Sequence, residues 1–318
     1  MKKIIGLVIL FIIFLVIAAG FWSSQLGSIG ISTESKDIVV AKGQSLSQIA
    51  DQLQKEKLIK SSLVFQLYVK QQGLAKKLQA GLFKISPSMD AAEIVKVLTS
   101  GPEGVWVRFL EGWREEEMAE EINKQLNIDK KEFINLAQEG YMFPDSYLFP
   151  REATVEYVVD TLKKTFETKF TGELRAKIKA QGLTEDEGVI LASIVEREGR
   201  SQEVRRMVAS ILLKRLKIEM GLNADATIQY ALGYQTQEKS WWKRHLTSDD
   251  LKIDSKYNTY IHAGLPPTPI ANPSLSSLQA VAEVDPSTPY LYYYHDSKGN
   301  SHYGKTLEEH NQNVANNP

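Results

Sequence analysis

Two lysines, Lys2 and Lys3, precede an uncharged and mostly apolar run from Ile4 to Trp22. As a helix that run would span roughly 28 Å, the thickness of a bilayer core. Basic residues before the run, with no basic cluster just after it, place the N-terminus in the cytoplasm and the rest of the chain outside, with Phe21 and Trp22 at the outer interface. The small residues Ala18, Ala19 and Gly20 leave a second reading open, a cleaved signal peptide. Both readings export the body of the protein, in which no later stretch approaches the length of a second span.

Residues 23–36, "SSQLGSIGISTESK", are rich in Ser and Gly and lack helical periodicity, as expected of a tether. Folding resumes near Ile38. "IVVAKGQSLSQIADQL" runs from a β-branched stretch through a Lys42-Gly43 turn into a helix, with Ser45 and Gln48 at capping-box spacing and Leu46, Ile49, Ala50 and Leu53 on one face. A second helix is expected over Ser62 to Gln72, a strand at "GLFKIS", and a helix at "DAAEIVKVLTSG" closed by Gly101. Val40, Gly43, Ser45, Leu46, Ile49 and Ala50 give this region a resemblance to a LysM-like module, a type that commonly binds N-acetylglucosamine polymers. The same short pattern follows from strand-turn-helix packing, so a purely structural role stands beside it.

After Gly104, "VWVRFLEGW" alternates as a strand, and Glu115 to Leu126 and Lys131 to Gln138 are periodic as helices. "GYMFPDSYLFP" interrupts the pattern and reads as a loop, either a rigid hydrophobic plug or a groove wall where sugar rings stack on Tyr and Phe. The next strong helix carries Thr184 as N-cap, Glu187 at the third position and Gly199 as its stop. With about 100° per residue, Leu191, Ile194 and Val195 mark a buried stripe; Glu198 falls about 20° from Leu191 and Glu196 about 140° away. Glu198 is therefore expected to point inward and Glu196 into solvent. A carboxyl on the core-facing stripe loses solvation in its charged form, so its pKa should rise from about 4.3 toward neutrality. A proton held in this way suits glycosidic cleavage, where the leaving oxygen must be protonated. The other reading is an ion pair with Arg200, Arg205, Arg206 or Arg215.

Charge and composition narrow the chemistry. Lys+Arg 38 against Asp+Glu 39 gives a net charge of −1, which offers no broad basic surface for nucleic acid. Hydrophobic residues at 43% suffice for a sizeable core. The absence of cysteine removes disulfides, thiolate metal sites and a cysteine nucleophile. His245, His262, His295, His302 and His310 are scattered, with no His-Glu-x-x-His motif, no nucleophile elbow and no phosphate loop, so neither a metal nor a cofactor is expected.

Several segments taken together, "ASIVEREG", "RLKIEMGLNADATIQYALG", "YNTYIHAGLPPTPIANPSLSSLQA", "PYLYYYH" and "HYGKTLEEHN", occur in the order seen in the YceG-like family of endolytic murein transglycosylases, which the chain resembles over nearly its whole length. The family's catalytic glutamate is the second of the pair in Ser-Ile-(Ile/Val)-Glu-Lys-Glu, which corresponds here to Glu198. The helix projection selects the same residue. Two departures, Lys214-Arg215-Leu216 for Asn-Arg-Leu and Leu222-Asn223-Ala224-Asp225-Ala226-Thr227 for Leu-Gln-x-Asp-Pro-Thr, bear on contacts by Lys214 and Asn223.

Candidate substrate-binding residues are Asn223, Asp225, Thr227, Tyr230, Asn258 and Tyr260. From the residues alone, Asp225 equally fits a cap for its own helix, and Thr227 and Tyr230, three apart, share a helix side. "LYYYH" fits a strand with Tyr292 and Tyr294 on one face and Tyr293 on the other, used in core packing.

The fold class expected is α+β: a transmembrane anchor over 1–22, a linker over 23–36, a LysM-like module over 37–103 and a mixed α+β catalytic domain over 104–318, with its glutamate at a helix C-terminus. The resemblance implies a bacterial single-pass inner-membrane enzyme. It would cut the β-1,4 bond between N-acetylmuramic acid and N-acetylglucosamine in nascent peptidoglycan strands, leaving a 1,6-anhydro end and terminating elongation, with synthases as possible partners. The alternatives are a hydrolytic muramidase, with Asp225 or Asp145 as second carboxylate, and a noncatalytic peptidoglycan-binding anchor that recruits synthases.

Overall fold

The computed structural model describes residues 2–102 and 104–317, with side chains described for all of these but 2–9 and 11. The fold is mixed α+β. Two compact units divide the chain: residues 1–106 with 147–152, and residues 107–146 with 153–318.

The first unit begins with helix α1 (Lys2–Leu26) and continues through strand β1 (Lys36–Val40), helices α2 (Leu46–Lys55) and α3 (Ser62–Gln71), strand β2 (Gly81–Ile85), helix α4 (Ala91–Ser100) and the start of strand β3 (Gly104–Arg108). Among the described residues no helix is long and apolar enough to cross a membrane. The first part of the run expected as an anchor, residues 4–9 and 11, lies outside the described side chains.

β1 and β2 pair antiparallel, from Lys36 opposite Ile85 to Val40 opposite Gly81. Their alternation sends Ile38, Val40, Phe83 and Ile85 into one core with Leu53, Phe65, Ile94 and Leu98. Side-chain caps fix where the helices start. Ser45 and Gln48 close a reciprocal capping box on α2, and Asp90 and Glu93 close another on α4.

The second unit carries α5 (Glu115–Leu126), α6 (Lys130–Leu136), α7 (Val155–Lys169), α8 (Gly172–Ala180), α9 (Glu185–Glu198), α10 (Gln202–Lys217), α11 (Asp225–Leu232), α12 (Leu275–Ala282) and α13 (Leu307–Asn316). Between α6 and α7 the stretch expected as a loop ends in strand β4 (Ser146–Pro150), which pairs with β3. Pro150 stands at the strand's end, where a missing N–H is tolerated. β5 (Tyr292–His295) and β6 (Ser301–Gly304) form an antiparallel hairpin, with Tyr293 opposite Tyr303.

Helix α9 is the centre of this unit. It packs against α8, α10, α11 and α12, and every residue from Gly188 to Glu196 is buried. Gly188 permits the approach of α8, since a Cβ there would lie 2.5 Å from Ile178. The unit's core joins Leu191, Ile194 and Val195 to Val208, Leu212, Leu278 and Val281.

Candidate active site

α9 starts at a capping box in which Thr184 accepts from the Glu187 amide and the Glu187 carboxylate accepts from the Thr184 amide. It ends at Glu198, and Gly199 follows as C-cap. The need for glycine is one of space: a Cβ at Gly199 would sit 2.5 Å from Arg205 Cγ and 2.9 Å from its Cα. α10 can therefore begin directly against the last turn of α9.

The two glutamates of that turn do not divide as the projection expects. Glu196 is buried, not solvated. Its carboxylate pairs with Arg205 at 2.6 Å and accepts from the Ser274 amide at 2.8 Å, the Ser274 hydroxyl at 2.5 Å and the Ser277 hydroxyl at 2.7 Å. Projection assumes a wet face opposite the greasy one, and this part of α9 has none, being covered by neighbours all round. A buried charge is tolerated because each oxygen has charged or hydrogen-bonding partners.

Glu198 is half-buried and lines a cavity of about 480 Å³. Around it stand Asn223, Asp225, Arg215, Tyr260 and the three tyrosines of β5, Tyr292, Tyr293 and Tyr294. Burial pushes the Glu198 carboxyl up from the ordinary glutamate value to about 7, and the negative charge of Asp225 adds to the rise. Hydrogen bonds from the Tyr293 hydroxyl and the Ala226 amide pull the other way, as does Arg197. Two of the candidate arginines are engaged elsewhere: Arg205 is spent on Glu196, and Arg215 donates to the carbonyls of Leu291 and Leu222 at 2.6 and 2.8 Å. The result is an acid that holds a proton near neutral pH beside a space large enough for a ligand.

The sequence candidates separate into two groups. Asn223, Asp225 and Tyr260 share the cavity with Glu198. Asp225 opens α11 without capping it; its side chain accepts from the Tyr260 hydroxyl at 2.6 Å. Burial and that hydrogen bond both raise the Tyr260 phenol, keeping it protonated. Asn223 adopts a left-handed backbone, φ 48°, which asparagine tolerates better than most residues, and its amide donates to the Thr259 carbonyl.

The other three lie elsewhere. Thr227 is fully buried and bonds Ala224 O at 2.7 Å and Thr259 Oγ1 at 2.9 Å, serving the first turn of α11. Asn258 is fully buried and donates to the carbonyls of Leu251 and Ile253 while accepting from the Tyr260 amide, so it shapes the loop that presents Tyr260. Tyr230 lines a different cavity, together with Tyr257 and Glu139. Asp145, a candidate second carboxylate, also lines a separate depression with Arg108 and Glu111. Lys214 reaches the Thr288 carbonyl at 2.8 Å and is not among the cavity's lining residues.

The β5 tyrosines, expected in core packing, line the cavity, with Tyr293 in hydrogen-bond contact with Glu198. Strand alternation had separated Tyr293 from its neighbours, yet all three reach the same space. Arg215 crosses the Tyr292 ring at 5.1 Å, binding the strand to α10. Among the described residues no cluster of three metal-ligating side chains forms.

The profile of the YceG-like family matches residues 38–316. The chain belongs to the YceG-like family. A Bacillus subtilis relative named endolytic murein transglycosylase is 32% identical over 88% of this chain and 84% of its own length. One of the same name from Streptococcus pneumoniae is 28% identical over 97% of this chain and 64% of its own length. A solved YceG-like protein from Listeria monocytogenes superimposes with a TM-score of 0.61 at 28% identity, covering 88% of this chain and 99% of that one. Of the two glutamates in the last turn of α9, Glu198 lines the cavity and Glu196, two residues earlier, is locked in an ion pair.

Proposed function

We propose that this chain is an endolytic lytic transglycosylase that cuts the β-1,4 linkage between N-acetylmuramic acid and N-acetylglucosamine in peptidoglycan glycan strands. The observation that carries the reading is Glu198, held with a pKa of about 7 in a cavity beside Asp225. The names of the Bacillus and Streptococcus relatives support the same reaction.

Glu198 first donates its proton to the glycosidic oxygen as the bond from the muramic acid C1 to that oxygen breaks. The resulting carboxylate then takes the proton of the muramic acid C6 hydroxyl, whose oxygen bonds to C1 and closes the 1,6-anhydro ring. One carboxyl serves both steps because the nucleophile belongs to the substrate and is already in place. Asp225 raises the proton affinity of Glu198 and, with Asn223 and Tyr260, offers polar contacts to the sugars flanking the cut.

Asp225 also supports a second reading, a hydrolytic muramidase in which water is the final acceptor, since it shares the cavity whereas Asp145 does not. Mass spectrometry of digested peptidoglycan separates the readings. Anhydro ends are expected; reducing ends would select hydrolysis, and intact strands would select a noncatalytic glycan-binding anchor.

Export and anchoring belong to the same proposal. The run from Ile4 to Trp22 behind Lys2 and Lys3 supports a single-pass inner-membrane anchor with the active unit outside, as do the exposed apolar side chains along α1, among them Ile12, Phe14, Val16 and Phe21. The strand-turn-helix from Val40 through Ala50, with β2 paired to β1, supports a LysM-like module. Tethered in this way, the enzyme would meet newly made strands and terminate their elongation, with the synthases as partners.

A further inference from the structure

Outside α1, the large apolar side chains that the first unit leaves exposed, among the described residues, are Ile29, Ile31, Val39, Leu63 and Leu67. All but Val39 lie on the two segments that adjoin the end of α1, the stretch that follows it and helix α3. We propose that these two segments form a lipid-facing surface, which seats the first unit on the headgroups of an anionic phospholipid membrane. The inference rests on the reading of α1 as a membrane anchor and adds what the folded unit does at the lipid surface.

The depth of that surface follows from how α1 ends. α1 packs against α3, and Leu26 in its last turn rests on the core that holds Phe65. Gln25, Leu26 and Gly27 lie across a narrow gap from Ile59, Ser61 and Phe65, and Lys60 donates to the Ser24 carbonyl at 2.7 Å. The chain beyond is pinned as well: the amides of Ile29 and Gly30 donate to the Pro87 carbonyl at 3.2 and 3.0 Å, and the Ser88 amide donates to the Ser32 carbonyl at 3.1 Å. With Trp22 at the outer interface, Leu26 stands about 6 Å further out along the helix. A headgroup layer is about 5–7 Å deep on each side of the hydrocarbon core, so the first turn of α3 meets lipid at that level.

α3 carries the matching chemistry on its outward side. Leu63, Leu67 and Lys70, four and three residues apart, make one stripe opposite Phe65 and Val69, which are buried. Leu63 is 66% exposed and Leu67 45%, apolar area that gains by leaving water. Around the stripe the chain is basic. Residues 55–77 hold Lys55, Lys57, Lys60, Lys70, Lys76 and Lys77, all exposed, against a single acid, Glu56, which pairs with Lys36 at 3.5 Å. The whole protein carries Lys+Arg 38 against Asp+Glu 39, so the excess is local.

Leucines that enter the acyl boundary, with lysines beside them to meet phosphates, are what an interfacial helix presents to lipid. The anchor also brings this occupant to the surface. Because α1 makes the contact intramolecular, two leucines and a few lysines suffice where a free patch of that size would bind vesicles weakly.

The test uses the full-length chain reconstituted into vesicles of phosphatidylglycerol and phosphatidylcholine. The chain has no cysteine, so Leu63→Cys, Leu67→Cys and Phe14→Cys, all at exposed positions, each take a single fluorescent label. Lipids carrying a nitroxide quench a label only at close contact. Headgroup nitroxide is expected to quench the labels of Leu63→Cys and Leu67→Cys, and acyl-chain nitroxide that of Phe14→Cys. Adding Lys70→Glu should lower the ratio of docked to undocked molecules, read from the quenching, about fivefold or more, the factor that one lysine contributes at an anionic surface. Vesicles of phosphatidylcholine alone should lower it further.

Quenching of the Phe14→Cys label with none at Leu63→Cys and Leu67→Cys overturns the lipid surface and leaves the anchor standing. So does shielding of those two labels from aqueous iodide without lipid quenching, which would mark a second copy of the chain on that face. Quenching that neither Lys70→Glu nor pure phosphatidylcholine reduces overturns it as well, since the lysines would then meet no phosphate. If the Phe14→Cys label alone escapes, the anchor reading fails and the surface stands. If all three escape, both fall.

Discussion

Glu196 and Glu198 sit within one turn of α9 and meet opposite surroundings. Glu196 is enclosed by an arginine, two serine hydroxyls and an amide, all drawn from α10 and the start of α12. Glu198 faces a cavity, with a second carboxylate nearby and no direct cationic partner among the described contacts. Burial is common to both. What differs is compensation: four charge-assisted contacts hold the first as a structural ion, whereas the second is left to hold a proton.

The largest effect should come from Glu198→Gln, which keeps the shape but removes the transferable proton. Release of anhydro-muropeptides is expected to fall about 10³-fold or more, measured by mass spectrometry. A stability gain should accompany the loss. The folded pKa of Glu198 lies above its unfolded value, so the wild-type carboxyl costs stability from the ordinary glutamate range upward, and the cost is complete above about pH 7. The variant should therefore melt higher than wild type at pH 8, with the difference shrinking as pH falls through 7 toward the ordinary glutamate range.

Glu196→Gln should reverse that pattern. Arg205, with a side chain 13% exposed, would lose its charge partner, at a cost of about 3 kcal/mol in thermal or urea unfolding. Activity should decline through loss of folded protein, with kcat per folded molecule retained. If Glu196→Gln abolished turnover in a stable protein, the division between the two carboxylates would be wrong.

Subtler changes sharpen the contrast. Activity needs protonated Glu198, so the rate should fall as pH rises through about 7. Asp225→Asn removes a charge that raises this pKa, so the basic limb of the rate profile should move to lower pH. Tyr293→Phe removes a hydrogen bond to the carboxylate and should move the limb the other way, by less.

Local signals in the chain were legible where they act within a few residues. Thr184, Glu187 and Gly199 mark the bounds of α9, Ser45 and Gln48 the start of α2, and the periodicity of Glu115 to Leu126 gives α5 its limits. Asp225 and Tyr260, 35 residues apart, could be nominated as site residues, but their hydrogen bond could not be seen.

Legibility failed where a partner arrives from far along the chain. Glu196 looked solvent-facing because its partners Ser274 and Ser277 come from 78 and 81 residues away. The end of "GYMFPDSYLFP" looked like loop because β3, which turns it into a strand, lies some 40 residues earlier. Tyr293 looked like core because alternation describes a strand's two faces without saying what each face meets.

Gly199 ties the two carboxylates together mechanically. With hydrogen in place of a methyl group there, the Arg205 backbone comes to rest against the end of α9. That one seat serves as a fulcrum for both neighbours, since a wedge inserted at it would swing the arginine off Glu196 and tip Glu198 away from the cavity in a single movement.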